Sequence, residues 1–260
     1  MNNENRTIWI VEWTYSPPDY FEKRFRIDNE QYKLTIQNGK VEAIINAEHG
    51  DPRPELRDQL TTYLSFMFIG IQLISHKLYE LSRSSVYCRH PDGKRVIFLE
   101  PEPIVVTTSV SADLTITDRN GNVIADSRSE RIEKKRCLAI LAATHSGRDL
   151  TARRILQSYN NSVKDPDNEL IHLYEIREAL AEAFKGKKQA INALKVNKAQ
   201  WQELGQLAND TPLRQGRHRG KKLSELRDAT KNELNTARDI ASEMIVNYLK
   251  YLEEQVKNND

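Results

Sequence analysis

The residues best suited to chemistry lie close together near the C-terminal end, in Leu207-Ala-Asn209-Asp210-Thr-Pro212-Leu-Arg214-Gln-Gly216-Arg217-His218-Arg219-Gly220-Lys221-Lys222. From Arg214 to Lys222 there are five formal positive charges and no acid. Arg214, Arg217 and Arg219 present planar forks that match the oxygens of a phosphate two at a time. His218 is the one side chain among them that exchanges a proton near neutral pH. Gly216 and Gly220 lack the Cβ that would hold a ligand away from the backbone. Together these residue types point to an anionic, phosphate-bearing partner. The structural alternative is a solvated basic loop, or arginines paired with Glu175, Glu178 and Glu182 on the helix before it.

A second basic stretch runs from Lys185 to Lys198, includes Lys187, Lys188 and Lys195, and carries no acid between Phe184 and Gln202. Two short helices joined at Val196-Asn197, over 187–208, have the layout of a helix-turn-helix. The turn lacks the usual glycine, and Trp201 is better explained as a core anchor than as a base reader.

Other constellations are not supported. Six histidines, at 49, 76, 90, 145, 172 and 218, show no metal-ligand spacing, so neither a metal nor a cofactor is expected. There is no P-loop and no dinucleotide fingerprint. Cys88 and Cys137 are far apart and form no CxxC pair, which argues against a disulfide scaffold or a thiolate zinc site. Ser146-Gly147 beside His145 lacks the strand-turn-helix context of a nucleophile elbow. Glu175, Glu178 and Glu182 share a helical face with Arg177 and look like ordinary surface pairs.

The elements that must position the basic segment are helical. Helices are expected over 130–144, closed near Gly147, and over 150–159. Another is expected over 168–184, with Asp165 as N-cap, Pro166 at the first position and Gly186 at the end. Two short ones come next, over 187–194 and 198–207. Thr230-x-x-Glu233 is a capping box. The helix it opens carries an apolar stripe through Leu234, Ala237, Ile240, Ala241, Met244, Ile245, Tyr248 and Leu252, with 253–260 expected to fray. One-sided stripes need partner helices, so the second half is a bundle.

The first half reads as antiparallel strands at 7–13, 32–36, 41–45, 85–89, 95–99, 104–110, 113–117 and 123–125. Asn38-Gly39, Pro91-Asp92-Gly93 and Asn120-Gly121 are the turns. Between them a long apolar helix is expected over about 56–82, packed on or inside a curved antiparallel sheet. It is too short and too interrupted by Gln72, His76 and Lys77 to span a membrane, which takes about 20 apolar residues. His49 and His90 fall in turns, and Trp9 and Trp13 on one strand face, where core packing is the ordinary role. The fold class is therefore α+β: a β-rich domain over 1–130, then a helical domain over 131–260 holding the basic loop 209–222.

The helical half resembles a divergent domain of the HEPN superfamily. A helical bundle, an Arg-and-His motif entering the last helix and a long closing helix carry the resemblance, over residues 131–256. Here three residues separate Arg214 from His218. The arrangement of the two halves is similar to bacterial antiviral, abortive-infection proteins. The resemblance implies a metal-independent ribonuclease acting on RNA as a homodimer. His218, Arg214 and Arg217 would be catalytic, with His218 as acid or base and the arginines stabilising phosphorane charge. It also implies that Arg219, Lys221 and Lys222, with Lys187 and Lys188, hold the nucleic-acid backbone, and that Asn209 or Asp210 orients His218. The alternatives are a non-catalytic nucleic-acid or nucleotide-binding module and a protein–protein interaction adaptor.

Whole-chain charge conceals this. A chain of 260 residues has a formal net charge of only +2. Residues 1–130 sum to −4 and residues 131–260 to +6, and seven of nine prolines lie in the first part. With 38% apolar residues a core can form. The N-terminus has no basic stretch ahead of an apolar one, so a cytoplasmic location is expected.

Overall fold

The computed structural model describes residues 8–46, 54–90, 95–98, 113, 115–117, 123–217 and 226–259. They form two compact units, one from 1–65 with 79–136, the other from 66–78 with 137–260. The fold is α+β, with an N-terminal antiparallel sheet and a mostly helical C-terminal half.

In the first unit, β1 (Ile8–Ser16), β2 (Phe25–Asp28), β3 (Tyr32–Gln37), β4 (Lys40–Ile45), β5 (Glu80–Leu81), β6 (Ser85–Arg89) and β7 (Arg95–Phe98) make one sheet. Its order is β2-β3-β4-β1-β6-β7, with β5 paired to β1. Registers Trp13↔Val41, Val11↔Ala43, Ile36↔Val41 and Leu34↔Ala43 align the alternate apolar residues into one buried face. Trp13 is buried and its Nε1 donates to Thr61 Oγ1 at 3.1 Å, so it anchors the core as expected. Asn38 and Gly39 both take positive φ, 50° and 78°, the requirement of a two-residue hairpin. β8 (Thr115–Thr117) and β9 (Val123–Asp126) pair separately. The strand expected over 104–110, His49, Pro91-Asp92-Gly93 and Asn120-Gly121 lie outside the described residues.

The long apolar helix expected over 56–82 is not found in that form. Helix α1 covers Pro54–Ser75 and stops where His76 enters the left-handed region at φ 44°. Leu81 joins β5, and Leu78 is exposed. No helix among the described residues is long and apolar enough to cross a membrane.

The second unit takes residues 66–78 of α1 and its sequel, and 137–148 of α2 (Ser127–Arg148). It adds α3 (Leu150–Lys164), α4 (Glu169–Ala183), α5 (Lys187–Leu194), α6 (Lys198–Gly205) and α7 (Lys231–Asn259). Gly70 sits so close to α2 that a Cβ would lie 2.4 Å from the Leu138 carbonyl oxygen. Gly186 closes α4 at φ 145°, a conformation that favours glycine. Asp165 does not cap α4. A 3-10 turn, Pro166–Asn168, intervenes, and the Asp165 carboxylate instead accepts from Asn168 Nδ2 at 2.7 Å and lies 3.3 Å from His172 Nε2. Helix α7 runs on to Asn259, with Glu253 Oε2 3.2 Å from buried His145 Nε2, so the polar end expected to fray is helical as far as it is described.

Inside this unit lies a buried ion cluster. Glu169 is 1% exposed and receives Arg238 Nε at 2.5 Å and Nη2 at 2.8 Å. His76 Nε2 lies 3.4 Å from the same carboxylate, and its Nδ1 lies 3.3 Å from the Tyr159 hydroxyl. Burial opposes ionisation of Glu169, but the bonds from Arg238 and His76 outweigh it and hold the carboxyl below its ordinary range.

Candidate nucleic-acid site

The basic segment begins where a helix loosens. Asn197 caps α6 by accepting from Ala199 N at 2.8 Å, and Trp201 and Leu204 fix the helix in the core. The chain then widens into a π-helical turn, Gln206–Asp210, rather than ending at Leu207. Thr211 N closes it on Gln206 O at 2.9 Å.

Backbone bonds tie down the residues from Pro212 to Arg217. Arg214 N donates to Arg227 O at 3.0 Å and Arg227 N to Pro212 O at 3.1 Å, which sets 212–214 beside the approach to α7. Gly216 N donates to Leu213 O at 3.0 Å, and Arg217 N to Ala208 O at 2.8 Å. The last bond ties the residue before His218 to the residue before Asn209. Gly216 is buried, and a Cβ there would meet Ala208 O at 3.0 Å, so its small size serves the loop's own closure.

Two of the predicted catalytic residues can be placed. The exposed Arg214 lies 3.7 Å from Asp228 Oδ2, while Arg217 Nη1 donates to Glu178 Oε1 at 2.8 Å. The pairing with Glu178 is one of the structural alternatives, and it coexists with a stack: Arg217 Cζ lies 4.6 Å from the Tyr174 ring centroid. His218, Arg219, Lys221 and Lys222 lie outside the described residues. Lys187 and Lys188 are exposed on α5. Asn209 carries a buried Oδ1 with no hydrogen-bond partner among the described residues, whereas Asp210 is exposed. Of the two, Asn209 therefore holds its unpartnered acceptor away from solvent, and Asp210 does not.

The helix-turn-helix layout over 187–208 takes its turn at Lys195, φ 52°, the conformation glycine usually supplies. Trp201 is fully buried and touches no solvent, as a core anchor does. Among the described residues no group of three His, Cys, Asp or Glu side chains is placed to hold a metal ion.

One residue of the cluster does not stand out in the sequence. Arg177 looks like a surface partner of Glu175 and Glu178. In the structure its Cζ lies 4.9 Å from the Tyr174 centroid and 5.7 Å from that of Trp201. The signal that could have exposed it is Gly205, a glycine in a helix with no turn to make. No family model, curated protein or solved structure matches this chain.

Proposed function

We propose that this chain is a nucleic-acid-directed effector whose HEPN-like helical half binds single-stranded RNA on the 209–222 segment and cleaves it without a metal, as part of a bacterial defence system. The observation that carries this reading is the bond from Arg217 N to Ala208 O at 2.8 Å. It brings the chain entering His218 back beside Asn209, whose buried Oδ1 has no partner among the described residues. A carbonyl oxygen held dry and free is suited to accept the imidazole N–H and fix the tautomer of a catalytic histidine.

In this mechanism His218 takes the proton of a ribose 2′-hydroxyl. The freed 2′-oxygen attacks the adjacent phosphorus, the bond to the 5′-oxygen breaks, and that oxygen leaves with a proton. The products are a 2′,3′-cyclic phosphate and a 5′-hydroxyl end. Arg214 and Arg217 stabilise the charge that develops on the non-bridging oxygens. Arg219, Lys221, Lys222, Lys187 and Lys188 supply salt-dependent backbone attraction. A homodimer would bring two such segments together.

A second reading is a non-catalytic module: the carboxylates beside Arg214 and Arg217 compete with a phosphate for the two forks that catalysis would need, and leave RNA binding to the lysines and Arg219. His218→Ala separates the two. Cleavage of a labelled oligoribonucleotide by wild type in EDTA, lost in the variant, establishes the enzyme. Equal, salt-sensitive binding by both proteins without cleavage establishes the binding module. No binding by either at low salt leaves the interaction adaptor.

A further inference from the structure

Gly205 has ordinary right-handed helical dihedrals, φ −65° and ψ −40°. At such a position alanine is more favourable than glycine by about 1 kcal/mol. No turn and no left-handed conformation accounts for the glycine. Arg177 does: a Cβ on Gly205 would lie 1.8 Å from Arg177 Nη1 and 2.8 Å from its Cζ. The guanidinium occupies the space of the missing side chain, and the helix forgoes stability to keep it there.

The rest of its surroundings hold Arg177 through ring contacts. Tyr174 and Trp201 attract the cation by their π faces, at 4.9 and 5.7 Å. Such contacts leave the in-plane N–H donors unused. Among the described residues no carboxylate, hydroxyl or carbonyl pairs with Arg177, although Glu175 and Glu178 are close in sequence on the same helix. The neighbouring cation is treated differently: Arg217 touches the same Tyr174 ring but is paired with Glu178. Since both Cζ atoms lie within 5 Å of one ring centroid, the two guanidiniums are no more than about 10 Å apart. A positioned, half-buried fork with no internal anion, beside a second fork at the mouth of the basic segment, is the arrangement that takes a phosphate oxygen pair.

We infer that Arg177, seated on Gly205, is a phosphate anchor that extends the RNA site from the 209–222 segment onto α4. The inference rests on the RNA reading above. Its ligand is a backbone phosphate of single-stranded RNA, held bidentately by Arg177.

Gly205→Ala provides a test that leaves the charge untouched, because the new methyl must push the Arg177 guanidinium off its seat while suiting the helix. A fluorescent single-stranded oligoribonucleotide is titrated against wild type, Gly205→Ala, Arg177→Lys, Arg177→Ala and a Lys221→Ala/Lys222→Ala double variant, at several salt concentrations. Gly205→Ala and Arg177→Lys are expected to bind about tenfold more weakly with unchanged or higher melting temperature, tenfold being about 1.4 kcal/mol. Arg177→Ala is expected to show the same loss, with the log–log salt slope shallower by about 0.7. If the Gly205 and Arg177 variants bind as wild type while the double lysine variant weakens, the anchor is refuted and the RNA reading stands. A lower melting temperature in the Arg177 variants with unchanged affinity assigns Arg177 a purely structural role. If wild type itself binds no RNA at low salt, both readings fall together.

Discussion

Arg227 forks onto Glu233, its Nη1 reaching Oε2 at 2.8 Å and its Nη2 reaching Oε1 at 2.6 Å. Glu233 is also half of the α7 cap: its Oε2 accepts from Thr230 N at 2.8 Å and Oγ1 at 2.9 Å, and its own N donates to Thr230 Oγ1 at 3.2 Å. Because Arg227 also exchanges backbone bonds with Pro212 and Arg214, one arginine couples the first turn of α7 to the start of the basic segment. The carboxylate that orders the helix thereby helps to present the arginines.

That coupling has a pH signature. The bond from Arg227 holds the Glu233 carboxyl down at about 2, against a desolvation cost and with help from Thr230. A depressed folded value means that the stabilisation is fully present above about 4.5 and is lost as pH falls from there towards about 2. Urea unfolding of wild type and Glu233→Gln from neutral to acid should show a stability difference that is constant near neutrality and shrinks across that window. A difference that persists at pH 2 refutes the ionic account. Glu22, held at about 2 chiefly by Arg131 with Lys135 assisting, adds its own loss in the same window, and comparison with Glu233→Gln removes that common part. Thr230→Ala should cost about 1 kcal/mol, the usual value of an N-cap side chain.

Arg238→Ala strands a buried carboxylate. Glu169 has almost no access to water, and only His76 remains within reach when the guanidinium is gone. Breaking a buried pair from one side costs about 3–5 kcal/mol, mostly the penalty of the charge left behind. Chemical denaturation should therefore show a much larger loss for Arg238→Ala than for Arg227→Ala, whose partner Glu233 is more exposed. Equal losses from the two would mean that burial is not what sets the cost.

The parts of this fold that local chemistry determines are legible in the sequence. Asn38-Gly39 must turn because both residues tolerate positive φ, and Thr230-x-x-Glu233 must start a helix because the two side chains satisfy its orphan N–H groups. The parts set by distant partners are not. The apolar pattern of the helix over 54–75 runs on to 82, but His76 leaves it for Tyr159 and Glu169, and Leu81 leaves it for Tyr15. Strand β2 offers only Phe25 and Ile27 to a periodicity argument and exists because β3 pairs with it. In the candidate site the composition of 214–222 is visible at once, whereas Arg177 becomes visible only when α6 sets Gly205 beneath it.

Two glycines in helices should respond oppositely to the same methyl group. Gly70→Ala drives Cβ to 2.4 Å from Leu138 O and 2.9 Å from Ala139 Cα, backbone atoms that cannot swing aside. It should cost about 1–3 kcal/mol, as overpacking does. Gly147, within α2, has nothing within 4 Å of a new Cβ. Gly147→Ala should stabilise by up to about 1 kcal/mol through helix propensity. Paired melting curves test this, and a stabilising Gly70→Ala would show that α1 and α2 are not in close contact at that point.

Arg214 and Arg217 make a final pair of expectations in which stability and binding separate. Arg214 and Asp228 are both largely exposed and 3.7 Å apart, a geometry that gives little stabilisation. Arg217 has a closer pair with Glu178 and a stack on Tyr174, each worth at most about 1 kcal/mol at a surface. If these arginines serve RNA, replacing either with alanine should leave the melting temperature nearly unchanged while reducing affinity. For each phosphate no longer neutralised, the log–log salt dependence should become shallower by about 0.7. Glu178→Gln should act in the opposite direction, because it releases Arg217 from an internal carboxylate that competes with phosphate for the same fork. A melting temperature that falls in Arg217→Ala with RNA affinity intact would mean that the Arg217–Glu178 pair serves only to hold the 209–217 segment against α4.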